Sequence, residues 1–64
     1  MRHFNVTFEI HRGSNHKEYK TVMVEAGNKK IATIRGMMAI NKIDGYSDLF
    51  KNVVKVEEVA WYGS

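Results

Sequence analysis

Three histidines, His3, His11 and His16, are the residues best suited to metal chemistry in this chain. A structural zinc site needs four ligands brought close together. His3 and His11 share one extended segment and lie too far apart along it for one ion. His11 and His16 can approach across the turn between them, but no cysteine and no second carboxylate completes a set. The spacing predicts exposed histidines on a strand face and in a loop, with no metal. General acid–base chemistry needs a titratable pair in a concave pocket. Glu57 and Glu58 are adjacent, so strand pleating points them to opposite sides. Glu9 and His11 share a face of an open strand. Gly13-Ser14-Asn15 suits a turn better than a phosphate cradle. No nucleophile motif or cofactor fingerprint accompanies them, so the expectation is a binding protein rather than an enzyme.

Binding chemistry has two candidate locations. Arg12, His16, Lys17 and Lys20 gather at a hairpin tip beside Tyr19, and Lys29 and Lys30 open a helix. Cations next to an exposed aromatic suit a single-stranded nucleic acid, and helix-start amides can meet phosphate. Glu9, Glu18 and Glu25 lie on the same elements and oppose that reading, and no recognised nucleic-acid motif is present. Nucleic-acid binding through Arg12, Lys17, Tyr19, Lys20, Lys29 and Lys30 is the second choice.

The first choice is the stretch Asn28 to Ile43. At 100° per residue, Ala32, Gly36, Ala39 and Ile43 share one face, with Ile40 at its edge. Ile31, Ile34 and Met38 form a second arc, with Met37 beside it. A surface helix ordinarily has one apolar stripe. The second arc, rimmed by Lys30, Arg35 and Lys42, is therefore a candidate surface for another protein chain or a second copy. The alternative is that Leu49, Phe50 and Trp61 fold over that arc. Asn28 is the expected N-cap and Asp44-Gly45 the expected stop. Gly36 costs the helix about 1 kcal/mol relative to alanine, which close packing on a strand would explain.

The elements that position these groups follow from the pattern. Residues 2–11 alternate strictly, with Phe4, Val6, Phe8 and Ile10 on one side. Residues 12–18 read as a turn and 19–26 as a second strand with Val22, Val24 and Ala26 inward. In-phase pairing sets Phe8 against Val22 and Val6 against Val24, with Tyr19 across from His11. Ser47 is placed to cap one short helical turn, and Leu49 and Phe50 to close one end of the core. Residues 53–62 form a third strand, with Val54 and Val56 inward and an extra residue bulging at Glu57-Glu58, or else a strand that stops near Val56. A right-handed return lays this strand beside the first. The expected fold is α+β: a ββαβ chain, a three-stranded antiparallel sheet in order 2-1-3, and one helix on one face. The other face is open and mostly polar, with Tyr19 and Met23 as apolar exceptions.

The chain has 64 residues and no cysteine or proline. One domain of this size buries only about 60% of its unfolded surface, so a partner or self-association is a natural source of added stability. The net charge of +3 is uneven: residues 1–43 hold eight Lys/Arg against three Asp/Glu, and residues 44–64 hold two against four. No apolar run approaches the roughly 20 residues of a membrane span, and the start lacks a signal-peptide core. These features point to the cytoplasm. In size and element order the chain resembles small virus-encoded proteins that bind and redirect a host enzyme. That resemblance implies a small regulator or inhibitor acting by contact.

Overall fold

The computed structural model describes residues 2–43 and 45–59. Strand β1 (Arg2–His11) is followed by β2 (Lys17–Ala26), helix α1 (Lys29–Asn41) and β3 (Phe50–Val59). The sheet is antiparallel, in the order β2-β1-β3. Strand alternation in β1 puts Phe4, Val6, Phe8 and Ile10 under the helix, all fully buried. Ala26, Ala32 and Ile40 complete that core, and Val22, Val24, Met37, Ile43, Tyr46, Leu49, Val53 and Val56 pack around it. The expected fold class is the observed one.

The helix begins where its cap allows. Asn28 has extended backbone, and its Oδ1 accepts the Ile31 N–H at 2.9 Å, which satisfies one of the free donors of the first turn. The helix ends two residues earlier than expected. The Lys42 N–H already bonds to the Ala39 carbonyl at 3.2 Å and the Ile43 N–H to the Ile40 carbonyl at 3.1 Å, so Gly45 is not the cap. Gly45 instead has φ +88° and shapes the following turn; Asp44 lies outside the described residues. Residues 45–49 run as turns, with the Leu49 N–H donating to the Tyr46 carbonyl at 3.2 Å. Lys51 ties this segment down: its Nζ donates to the carbonyls of Tyr46 at 2.7 Å and Leu49 at 2.8 Å.

Two pairings differ from expectation. Val6 faces Val22 and Phe4 faces Val24, so the β1–β2 register is shifted by two residues, and Tyr19 lies across from Glu9 rather than His11. A two-residue shift keeps every side chain on its own face, so the apolar pattern alone cannot choose between the two. The turn decides: the Arg12 N–H bonds to the His16 carbonyl at 2.9 Å, and the strands resume immediately beyond. In β3 a bulge does occur, but earlier. Thr7 pairs with Lys55 and Phe8 with Val53, leaving Val54 as the extra residue.

The early bulge resets the rest of β3, which continues to Val59 rather than stopping at Val56. Val53 and Val56 turn to the core, and Val54, expected inward, is half exposed. Glu58 falls opposite Phe4, hence on the helix side. It is not stranded there, because Arg2 grips both its oxygens at 2.9 and 2.8 Å at the sheet's rim. Phe50, expected in the core, lies opposite His11 on the open face, their rings edge-on at 5.4 Å. Leu49 does pack on the core. Trp61 lies outside the described residues.

The closest approach of helix and sheet is at Gly36. A Cβ there would lie 2.9 to 3.0 Å from three carbons of Val6. Val6 is β-branched and fully buried, so it has no free end to move aside. Overpacking of this kind costs about 1–3 kcal/mol, against about 1 kcal/mol gained in helix propensity. Gly36→Ala is therefore expected to lower the melting temperature by several degrees. Combining it with Val6→Ala in a double-mutant cycle should show coupling, the pair destabilising less than the sum of the singles.

The outer face of the helix as candidate functional site

Packing by Ala32, Gly36 and Ile40 fixes the rotation of α1. Ile31, Ile34 and Met38 then point almost directly away from the sheet, since their 100° steps centre opposite the buried face. They are 36%, 51% and 57% exposed. At spacings i, i+3, i+7 they form one continuous stripe. Met37, expected beside them, turns instead to the core and packs there. The described part of the segment after the helix does not cover the stripe: Leu49 packs on the core and Phe50 lies on the far side of the sheet.

The rim of the stripe is positive. Lys30, Arg35 and Lys42 are all exposed, with Lys30 and Asn41 flanking one side and Arg35 and Lys42 the other. No acidic residue occurs in the helix. Arg35 also reaches down, its Nη1 donating to the Glu25 carbonyl on β2 at 2.7 Å. That bond ties the helix to an edge strand.

The nucleic-acid set is divided by the fold. Lys17 and Tyr19 are on the open face, whereas Lys20 lies across from Phe8 on the helix side. Lys29 and Lys30 start the helix beyond the other end of β2, roughly 30 Å from the hairpin at ~3.3 Å per residue. Arg12 is also engaged. Its guanidinium bonds to Glu18 and lies over the Tyr46 ring at 5.1 Å, while the Tyr46 hydroxyl donates to the other Glu18 oxygen at 2.6 Å. Tyr19 is exposed, but its hydroxyl donates to Glu9 at 3.2 Å, and His11 Nε2 lies 2.8 Å from the other Glu9 oxygen.

The histidines do not converge. His3 and His11 stand at opposite ends of β1, and among the described residues no group of three or more His, Cys, Asp or Glu is placed to hold a metal ion. The Glu9–His11 pair lies on an open sheet face rather than in a pocket. A shallow open groove runs along the β2 edge, lined by His3, Met23, Val24, Glu25 and Arg35. Among the described residues no helix is long and apolar enough to cross a membrane. Sequence reasoning missed Phe50 as a neighbour of Tyr19's face. The signal was the strand's true start, three residues before the first valine. No known protein family, curated protein or solved structure matches the chain.

Ion pairs tie the ends of the sheet together. Hydrogen bonds from Tyr46 and Arg12 hold the Glu18 carboxyl below its ordinary pKa. The Arg2 hydrogen bonds do the same for Glu58, and His11 for Glu9. A carboxyl depressed on folding adds stability that is complete above its unfolded pKa and is lost as pH falls through its folded value. The urea midpoint should therefore hold steady near neutrality and fall as pH drops below the ordinary carboxyl value of 4.5. Glu18→Gln should lower the midpoint at pH 7 and flatten the acid limb, measured by fluorescence across a pH series.

Proposed function

We propose that this is a non-enzymatic binding protein that acts by contact with another protein, through the stripe Ile31, Ile34 and Met38 on the outer face of α1. It works as a small regulator or inhibitor of a larger assembly. The observation that carries the reading is the exposure of three large apolar side chains on one helix face with a charged rim. Singly exposed apolar residues are ordinary; a stripe of them on a rigid element, ringed by charge, is the pattern of an interaction site. Helix anchors at i, i+3 and i+7 are a standard way to engage a partner. A small domain also gains stability from whatever binds its folded form.

Nucleic-acid binding is the second reading, and the fold supports it less. Its residues fall in three separate places, and its arginine is already paired with Glu18.

The double substitution Ile34→Asp with Met38→Asp tests the first reading. Both positions are half exposed, so the melting temperature should change little, each substitution costing no more than about 0.5 kcal/mol. Circular dichroism should be unaltered. Binding to the protein partner should fall at least tenfold. A salt titration of filter binding to single- and double-stranded probes tests the second. Phosphate contacts would give affinity that falls steeply with salt, and absence of binding at low salt removes that reading.

A further inference from the structure

We infer that the partner of this helix presents an apolar groove edged with carboxylates, which closes on α1 from both flanks; this rests on the protein-binding reading above. Charge is the first argument. Lys29, Lys30 and Arg35 lie within α1, Lys42 follows it, and the helix has no acidic residue. A second copy docked by the same stripe would set like charges against each other, and like-charge juxtaposition rejects a partner. Asp or Glu at the edge of a partner's surface meets Lys30, Arg35 and Lys42 instead, the three cations that flank the stripe. It also relieves Lys30, which opposes the dipole at the start of its own helix.

Area is the second argument. α1 has 13 residues, about 20 Å at ~1.5 Å per residue. Laid against a flat surface, it offers three apolar side chains and a strip about 10 Å wide. A stable interface needs about 800 Å² from each partner. A groove reaches this more readily, because its walls also cover Lys30 and Asn41 on one flank and Arg35 and Lys42 on the other. The aliphatic stems of those lysines line the walls while their ammonium groups meet the acidic edge. Met38 adapts its shape to the groove floor. An anionic bilayer shares the charge but not the shape. The face that would sink into lipid is a narrow arc without an aromatic anchor, because the sheet takes the opposite side of the helix.

The test uses the full chain with a photo-crosslinking side chain at Asn41, irradiated in cells that produce it. Cross-linked products are mapped by mass spectrometry. The expected result is a different protein, joined through apolar segments flanked by Asp and Glu. Its yield should fall at least tenfold with Lys30→Glu plus Lys42→Glu. It should hold with Lys17→Glu plus Lys55→Glu, the same charge change placed elsewhere. The inference is overturned if the two charge variants behave alike, or if the only cross-link is to a second copy. It is also overturned if vesicles of phosphatidylcholine with 30% phosphatidylglycerol (about one charge in three lipids) capture the wild-type chain while Lys30→Glu plus Lys42→Glu abolishes that capture. Ile34→Asp with Met38→Asp separates the two levels. If that variant loses the heterologous cross-link while Lys30→Glu plus Lys42→Glu retains it, the groove chemistry is wrong and the protein contact stands. If it retains the cross-link, or none forms with wild type, the protein-binding reading falls as well.

Discussion

The contact of Gly36 with Val6 governs the molecule. There is no room for a single methyl group between helix and central strand at that point. A helix seated so closely cannot roll about its axis without driving Ala32 or Ile40 out of the core. Rotation is thereby fixed, and with it the direction of every other side chain of α1. Ile31, Ile34 and Met38 are exposed because small residues occupy the opposite face, where the backbone must come near the sheet. The outer stripe is a geometric result of the inner one.

The remaining framework keeps that seat in place from its edges. Arg35 ties the helix to β2, Arg2 links β1 to the far part of β3, and Glu18 joins the hairpin to Tyr46 in the connection after the helix. Each of these is a surface interaction, so none alone contributes much. Together they lie around a core whose fully buried residues come mostly from β1. Lys51 acts differently. Its ammonium collects several carbonyls of the turn segment, which otherwise has little secondary structure to satisfy them.

Fold class, strand order and the two-faced helix were legible in the sequence, because each rests on periodicity. Strict alternation in β1 and small residues at positions 32, 36 and 39 carry that information directly. Register was not legible. Shifting β2 by two residues leaves the same apolar set inward, and only the length of the turn after His11 distinguishes the alternatives. The position of the bulge was hidden for a related reason. Val53, Val54 and Val56 are alike in chemistry, so nothing in their identity says which of them is the extra residue. The unusual pair Glu57-Glu58 suggests an irregularity at that point, yet both glutamates pair in register and Glu58 is accommodated on the helix side by an arginine 56 positions away in the chain. Within the candidate site, Met37 and Met38 are identical neighbours, and only the observed rotation of the helix assigns one inward and the other to solvent.

The extra residue at Val54 also bears on how the chain behaves at high concentration. β3 is an edge strand, and an uninterrupted edge is a template on which other chains zip. Here the pleat changes phase partway along. A visiting strand in step with Phe50 to Val53 is out of step with Lys55 to Val59. The same irregularity that brings Val53 and Val56 to one core thus shortens the straight edge on offer.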